Sequence, residues 1–281
     1  MINGIILVNK PRGISSNTVV NIVKRAVKAD KAGHLGTLDV AGEGLLPVTI
    51  NKGTKLFDFF LNKDKEYLAV FKFGQTTDTL DLEGEITAKD DKIVTLNDLN
   101  KVIGQFVGKY AQMPPAYSAK KINGQKAYDL ARRGEEPQLK PKEIEIYSLE
   151  VTKQSEENTF EFKVHCSSGT YIRSLCRDIA TSLSTYGVML SIQRTKCGIF
   201  DLSDAQTLEE IKQGKFNVIS PDCLFNYTAA HLTEKETGLL LNGVYIKTTL
   251  KDGLYKAYFK EQFLGVTEVE NSLMKFSLRL S

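Results

Sequence analysis

The sequence predicts a mixed α/β or α+β domain built on a central sheet, followed by a small β-rich module. Strand-like runs separated by single helices and hairpins fill residues 1–226, which favours a sheet covered by helices. Beyond Asn226 the pattern changes to a series of short β-like runs. A length of 281 residues fits two domains of this kind, with residues 227–281 forming the second.

The first elements follow from hydrophobic periodicity and turn residues. The apolar run at residues 5–8 predicts a buried strand, which a turn at 10–13 ends. A helix is expected next, because residues 15–17 offer a capping side chain before apolar positions 19, 20, 23 and 27. Residues 67–74 alternate, with Tyr67 on the apolar face, and therefore predict a strand.

Capping residues and hydrophobic periodicity also predict the elements after residue 94. Thr95 can cap a helix with apolar positions 96, 99, 102, 103 and 106, and a basic helix is expected over residues 125–133. Residues 159–166 alternate and predict a strand, which a helix follows with its buried stripe at 172, 175, 176, 179, 180 and 183. The C-terminal β-like runs cover residues 244–250, 254–260, 263–268 and 273–280.

Composition excludes several classes of protein. The four cysteines form no C-x-x-C pair, so neither a zinc cluster nor a disulfide framework is indicated, and free thiols suggest a reducing compartment. The first apolar run is too short for a signal peptide, and no stretch reaches the ~18 apolar residues that span a bilayer. We therefore expect a cytoplasmic protein without a membrane partner.

Motif searches exclude the common cofactor sites. The sequence has no P-loop, G-x-G-x-x-G, H-E-x-x-H or G-x-S-x-G motif, and its three histidines are widely dispersed. An enzyme with this sequence is expected to use carboxylates, hydroxyls and guanidinium groups, with no cofactor and no metal ion.

The small net charge of +3 conceals an uneven distribution. Residues 1–34 carry six basic side chains against one acid, and residues 101–142 carry nine against three. Residues 78–98 carry seven acids against two lysines. The two basic stretches are either solvated surface or parts of one phosphate-binding face.

The segment at residues 33–47, GHLGTLDVAGEGLLP, is the densest special region. It holds four glycines, which allow tight turns and a close approach of the backbone to a ligand. Its single aspartate, Asp39, is either a turn-capping residue or a nucleophile or acid/base at the floor of a cleft.

This segment is one of six that match the motifs of a known family in the same order. The other five are LVNKPRGISSN (7–17), DKEYLAVFKFGQTTDTLDLEGEI (64–86), QMPPAYSAKKINGQKAYDLARRG (112–134), CSSGTYIRSLCRDI (166–179) and SIQRTKCGIF (191–200). They resemble K-P-x-G-x-[ST]-S, K-x-Y with T-D-T-x-D-x-x-G, P-P-x-[YF]-S-A-x-K, G-T-Y-[IV]-R and [LI]-x-R-x-x-x-G-x-[FY]. By these motifs the chain resembles the TruB-type tRNA pseudouridine synthases.

The resemblance implies both a fold and a reaction. The fold is α+β, with a pseudouridine-synthase-like catalytic domain at residues 1–226 and a PUA-like RNA-binding module at 227–281. Its central sheet is mixed and mainly antiparallel, flanked by helices and loops, and a basic RNA-binding insert lies near 109–142. The implied reaction flips uridine 55 out of the T-loop of tRNA, breaks C1′–N1 and joins C5 to C1′.

Three residues match the catalytic positions of this family. Asp39 matches the nucleophile, and a carboxylate suits an electron-poor sugar carbon, although it could also add to the base ring. Arg173 matches the arginine that pairs with the carboxylate and keeps it ionised and oriented. Tyr67 matches the tyrosine that stacks on the target base and handles its C5 proton.

Further residues match binding and support positions. Tyr171 and Ile192 match the lining of the uracil pocket, and His34 matches the histidine that packs against the rearranged loop. Lys10 and Pro11 are expected to brace the catalytic loop. Phosphate contacts along the T-arm are expected from basic residues of the insert, namely Lys120, Lys121, Lys126, Arg132 and Arg133.

The sequence also departs from the family pattern and leaves two other functions to weigh. Val40 follows Asp39 where proline is usual, and Gly42-Glu43 replaces a hydroxyl-bearing residue before glycine. A non-catalytic RNA-binding or tRNA-folding protein would not need all three catalytic matches, and a cofactor-free glycosidase would normally need a second carboxylate. We expect tRNA as the partner of a monomer without an obligate protein partner.

Overall fold

The computed structural model describes residues 3–61, 63–118, 121–122, 125–126, 133 and 138–281. The strands are β1 (Gly4–Lys10), β2 (Ala32–His34), β3 (Glu43–Ile50), β4 (Lys65–Phe73), β5 (Gln75–Thr77), β6 (Ile86–Lys89), β7 (Gly108–Gln112), β8 (Lys121–Ile122), β9 (Gln125–Lys126), β10 (Lys142–Glu156), β11 (Thr159–Cys166), β12 (Gly187–Cys197), β13 (Phe200–Asp201), β14 (Gln206–Thr207), β15 (Thr228–His231), β16 (Ile246–Lys247), β17 (Gly253–Phe259), β18 (Gln262–Glu270) and β19 (Leu273–Arg279). The helices are α1 (Ser16–Ala26), α2 (Phe57–Leu61), α3 (Leu96–Val102), α4 (Ile172–Ser182), α5 (Leu208–Lys212) and α6 (Glu234–Leu241).

A large mixed sheet forms the centre of the described structure. Its strand order is β14-β1-β3-β12-β4-β11-β10-β7, with β2 added to β3 and β13 added to β12. The pairs β1–β14 and β3–β12 are parallel. The remaining pairs of this sheet, as far as the chain is described, are antiparallel. The prediction of a central, mainly antiparallel sheet is therefore confirmed.

Local sequence signals account well for the elements around this sheet. The Ser15 side chain caps α1 by accepting a hydrogen bond from the Thr18 amide at 3.0 Å. Thr95 and Asp98 form a reciprocal capping box at the start of α3, as the sequence predicts. The strand β11 covers residues 159–166 as expected, and it pairs with β4 in the same sheet. There the buried rings of Phe71 and Phe162 lie 4.6 Å apart.

The two faces of the sheet bury different clusters. Ile6 and Val8 of β1 face the cluster that α1 and α4 cover. Ile5 and Leu7 of the same strand face the other way, into a cluster that includes Val266 of β18. The C-terminal module therefore packs on the face of β1 opposite α1, because alternate side chains of a strand point to opposite faces.

The C-terminal module contains a second sheet, ordered β15-β17-β18-β19-β16 in the described residues. Three of the expected β-like runs correspond to β17, β18 and β19. The prediction of a strand over residues 244–250 is wrong for most of its length, since only Ile246–Lys247 is a strand. The helix α6 was not expected from periodicity, although Thr233 and Glu236 form a capping box at its start.

The prediction of a basic helix over residues 125–133 is wrong at the start of that range. Gln125–Lys126 is a strand that pairs with Lys121–Ile122 in an antiparallel hairpin. The sequence between these strands is Asn-Gly, which is the strongest two-residue hairpin signal and outweighs the helical composition that follows. Residues 127–132 lie outside the described residues.

The described helices have no membrane-spanning candidate. None of them combines the length and the apolar character that crossing a bilayer requires.

Candidate active site

Asp39 lies on an irregular loop, residues 35–42, between β2 and β3, which we call the Asp39 loop. Gly36, the second residue of the loop, has a φ of +104°, and Gly44, just after the loop in β3, has a φ of +97°; both lie in the region that favours glycine. A Cβ added to Gly44 would lie 2.5 Å from the carbonyl oxygen of Arg194 on β12. Glycine is therefore required there both for its backbone conformation and for the close approach of β12.

Lys10 and Ser16 fix the loop from one side. The buried Lys10 ammonium donates hydrogen bonds to the carbonyls of Pro11 and Val40, at 3.1 and 3.3 Å, and also to that of Gly42. Burial lowers the pKa of Lys10 to about 8. The Ser16 hydroxyl donates to the Leu38 carbonyl at 2.7 Å and accepts from the Leu38 amide at 3.0 Å.

Arg194 fixes the loop from below. Its side chain is 1 % exposed and donates to the carbonyls of Leu45, Gly36 and Thr37 at 2.7, 3.2 and 3.3 Å. The guanidinium therefore joins the two ends of the segment that carries Asp39. A donor group with five N–H bonds in a fixed plane suits this bridging role.

The carboxylate of Asp39 forms an ion pair with Arg173 on the first turn of α4. The distance from Asp39 Oδ2 to Arg173 Nη2 is 3.2 Å. The Asp39 side chain is 54 % exposed, whereas that of Arg173 is 9 % exposed. A bound substrate can consequently reach the carboxylate while the cation behind it stays covered.

A second carboxylate holds Arg173 from the opposite side. Asp81 Oδ2 lies 3.2 Å from Arg173 Nη1, and the Asp81 side chain is itself buried. The guanidinium also donates to the carbonyls of Thr79 and Tyr117 at 2.8 and 3.1 Å. Arg173 is thus fixed by four acceptors from three segments, which leaves its plane little freedom to move.

A cavity of about 270 Å³ opens beside this ion pair. Its walls include Asp39, Tyr67, Tyr171, Arg173 and Ile192, which the sequence analysis assigned to catalysis or to the uracil pocket. The volume is near the lower end for small-molecule sites, as a fragment such as a nucleobase would need. The fold therefore brings five dispersed sequence positions to one cavity.

Tyr67 and Ile192 reach the cavity from neighbouring strands. Tyr67 on β4 pairs with Arg194 on β12, so the guanidinium lies beside the phenol. Burial raises the pKa of the Tyr67 hydroxyl, against the charge and hydrogen bond of Arg194, which act to lower it. Both Tyr67 and Ile192 are buried, so they present mainly one surface, the one that faces the cavity.

Tyr171 is positioned through its backbone. Its amide donates to the Gln112 side-chain oxygen at 2.8 Å, and its carbonyl accepts from the Gln112 amide nitrogen at 3.2 Å. Burial raises the pKa of the Tyr171 hydroxyl. This reciprocal pair links the end of β7 to the turn that starts α4.

His34 does not line this cavity. It lies on β2 in an adjoining groove, which shares Asp39 and Arg173 with the cavity. Its Nδ1 is buried and has no hydrogen-bond partner among the described residues, and burial lowers the pKa of the imidazole.

The remaining expected site residues are distributed differently. Pro11 belongs to the turn that Lys10 binds, and Arg133 is exposed. The backbones of Lys121 and Lys126 belong to the hairpin of β8 and β9. Lys120 and Arg132 lie outside the described residues.

Sequence reasoning missed three residues of the site. Asp81, Arg194 and Lys65 all contact or line the cavity region, yet none was assigned a role. Each occupies a fixed position of a motif already quoted: the last aspartate of T-D-T-x-D, the arginine of [LI]-x-R and the lysine of K-x-Y. The motifs therefore contained these residues, but their roles depend on which side chains lie close together in the folded protein.

Comparison with known proteins identifies a family that this chain resembles. The family model described as TruB family pseudouridylate synthase (N terminal domain) matches residues 24–172. The chain is 37 % identical over 278 residues to tRNA pseudouridine synthase B of Caldanaerobacter subterraneus subsp. tengcongensis, covering 98 % of each chain. It is 38 % identical over 279 residues to tRNA pseudouridine synthase B of Aquifex aeolicus, covering 97 % of each chain.

Solved structures support the fold. The crystal structure of the archaeal box H/ACA sRNP Nop10-Cbf5 complex contains a chain with a TM-score of 0.70 and 19 % identity, matched over 99 % of this chain and 86 % of that one. A chain of a Cbf5-Nop10-Gar1 complex gives a TM-score of 0.67 at 22 % identity, over 98 % of this chain and 79 % of that one. The predicted fold, a sheet-based catalytic domain with a C-terminal PUA-like β module, is confirmed.

Two observations establish the family. The named relatives are 37–38 % identical over nearly the whole chain, and the family model covers more than half of the sequence. The chain belongs to the TruB family of pseudouridylate synthases, and it is an isomerase.

Proposed function

We propose that this protein converts uridine 55 in the T-loop of tRNA to pseudouridine. One observation carries the proposal. The half-exposed carboxylate of Asp39 is anchored to the buried Arg173 in the wall of a cavity that Tyr67 and Ile192 also line. The tRNA substrate is supported by the relatives of nearly equal length that are named tRNA pseudouridine synthase B.

The target uridine enters the cavity only after it leaves the stack of the RNA loop. Flipping a base costs a few kcal/mol, which contacts in the pocket must offset. Tyr67 supplies an aromatic surface for stacking, while Ile192 and Tyr171 complete the walls around the ring. His34, in the adjoining groove, packs against the part of the RNA loop from which the target base has flipped out.

The isomerisation then needs a carboxylate at the sugar or at the base. Asp39 acts either on C1′ or on the uracil ring while the C1′–N1 bond breaks and the base turns. Arg173 orients the carboxylate, and Asp81 orients Arg173 in turn. C5 then bonds to C1′, and its proton is removed.

Tyr67 takes part in this last proton transfer. Because burial raises the pKa of its hydroxyl, the phenol is neutral at physiological pH and acts as a relay. Its oxygen accepts the C5 proton as its own proton passes to a water molecule in the cavity, so the phenol ends the step neutral. Lys10 and Pro11 brace the Asp39 loop during these steps, and Lys120, Lys121, Lys126, Arg132 and Arg133 contact phosphates of the T-arm.

The direct test uses unmodified tRNA. The protein is incubated with a tRNA transcript, and pseudouridine is mapped at nucleotide resolution. Formation at position 55, and none in a transcript with cytidine at that position, supports the proposal. Pseudouridine confined to other positions would contradict the site specificity, and its complete absence would contradict the reaction.

Replacement of Asp39 by asparagine should abolish the reaction while tRNA still binds. The asparagine side chain has the same size but cannot act as a nucleophile, so the single-turnover rate should fall by about 10⁴-fold or more. The matched control is Asp30→Asn, which alters an exposed carboxylate on the preceding turn. Turnover of the Asp39→Asn variant near the wild-type rate would contradict the mechanism.

Asp81→Asn should slow the reaction through Arg173. The change leaves a buried guanidinium with one carboxylate instead of two, and hydrogen bonds to charged groups contribute ~1.5–3 kcal/mol. We therefore expect a single-turnover rate lowered by about 10- to 150-fold at saturating tRNA. Asp91→Asn, which alters an exposed carboxylate outside the site, serves as control, and equal rates for the two variants would refute the role of Asp81.

Variants of Tyr67 separate stacking from proton transfer. Tyr67→Phe keeps the ring, so a loss of about 100-fold or more indicates that the hydroxyl takes part in general acid–base catalysis. Tyr67→Leu should lose a further ~1–3 kcal/mol of stacking. Uridine deuterated at C5 supplies the decisive measurement. A kinetic isotope effect should emerge in Tyr67→Phe, and a variant rate within about threefold of the wild type would leave only stacking.

A further inference from the structure

Lys65 is a buried cation in the wall of the cavity that the proposed mechanism leaves without a role. It begins β4 two residues before Tyr67, so both side chains point to the same face of the strand. The residue is 8 % exposed and lines the same cavity as Tyr67 and Asp39. Burial lowers the pKa of its ammonium.

The ammonium of Lys65 has fewer hydrogen bonds than its burial calls for. An ammonium carries three donors, and within the described residues Lys65 makes one hydrogen bond, to the Lys63 carbonyl. Lys10 offers a comparison in the same protein, because this fully buried lysine donates hydrogen bonds to three carbonyls. Lys65 therefore has donors available on the side of the cavity.

The charge of Lys65 is also unbalanced. Within the described part of the chain, no carboxylate lies within ion-pair distance of its ammonium, and the adjacent Asp64 is engaged at 2.6 Å with His165. The nearby guanidinium of Arg194 adds a second positive charge. A buried charge is costly unless it is paired, so this wall of the cavity is prepared for a negative partner.

We propose that Lys65 binds the uracil oxygen that becomes negatively charged when the base is detached. The inference rests on the proposed function. Lys65 is buried and lines the cavity together with Tyr67, on which the base stacks, whereas the phosphate groups of a flipped nucleotide remain with the RNA backbone outside it. Lys65 is thus a catalytic residue that stabilises the leaving base.

The charge balance of the reaction requires such a group. When C1′–N1 breaks, both bonding electrons leave with the base, and the negative charge spreads over N1 and the ring oxygens. When C5 bonds to C1′, that electron pair forms the new bond, and any bond between Asp39 and C1′ breaks. The C5 proton then leaves, and N1 takes up a proton. Positive charge beside the base is needed only while the base is detached. An interaction that is stronger at that stage than with the bound substrate lowers the barrier and so raises the rate.

The test compares Lys65→Met with a control on the same strand. Methionine keeps the length of the side chain and suits a buried position, whereas the charge is lost. Lys72→Met changes a lysine of β4 that faces away from the cavity and should behave like the wild type. At saturating tRNA, we expect Lys65→Met to lower the single-turnover rate by about 100-fold, as loss of one charge-stabilising donor does, with tRNA affinity unchanged.

Lys65→Gln carries the same comparison if the methionine variant fails to fold, as judged by circular dichroism. It also removes the charge, and it should be slower than the wild type by at least about tenfold. A rate within about threefold of the wild type in a folded variant overturns the inference, as does a loss confined to tRNA affinity. Wild-type protein that forms no pseudouridine would instead overturn the proposed function.

Two modified substrates distinguish binding of Lys65 to the detached base from binding to a phosphate. A 5-fluorouridine at the target position carries an electron-withdrawing substituent that stabilises the detached base. The rate at which this substrate is consumed, relative to the rate with uridine, should therefore increase more for Lys65→Met than for the wild type. A neutral methylphosphonate on the 5′ side of the target should leave the ratio of the two rates unchanged. If it abolishes the difference between wild type and variant, Lys65 binds the phosphate and the assignment to the base is wrong.

Discussion

The capture of main-chain carbonyls by buried cations holds the candidate active site together. The Asp39 loop has no secondary structure of its own, so its carbonyl groups need donors from elsewhere. Lys10 supplies them on one side and Arg194 on the other, and between them they bind the carbonyls of Gly36, Thr37, Val40, Gly42 and Leu45. The requirement is mutual, because these two cations are themselves buried and need acceptors. A loop fixed in this way can present a half-exposed carboxylate without a proline after it, as at Val40.

The charges around the cavity are arranged by side. On one wall, Arg173 is balanced by Asp39 and Asp81. On the wall formed by β4 and β12, Arg194 and Lys65 lie beside Tyr67; both donate to main-chain carbonyl groups, and Arg194 also forms a hydrogen bond with the Tyr67 hydroxyl. A base bound between the walls would meet a carboxylate near its sugar and positive charge along its ring. This separation fits a reaction in which the sugar carbon becomes electron-poor while the base becomes electron-rich.

The sheet makes this arrangement possible through strand register. The pairing of β4 with β12 sets Tyr67 opposite Arg194 and Lys65 opposite Cys197, so two strands distant in sequence form one wall. The parallel contact of β3 with β12 then brings the end of the Asp39 loop over the same wall. Phe225, Val266 and Leu280 cover the other face of β1 and β3, which ties the C-terminal part of the chain to the frame that carries the site.

The sequence by itself determined the elements with strong local periodicity and the residues inside dense motifs. The strand at 159–166, the capped helices after Ser15 and Thr95, and the matches at Asp39, Tyr67 and Arg173 all depend on neighbours within a few positions. Tertiary structure decided which of these residues meet. The second carboxylate on Arg173, the clamp of Arg194 on the Asp39 loop and the separate groove of His34 join positions far apart in the chain. Such contacts depend on strand register and on the packing of α4 against the sheet, and neither leaves a periodic trace in the sequence.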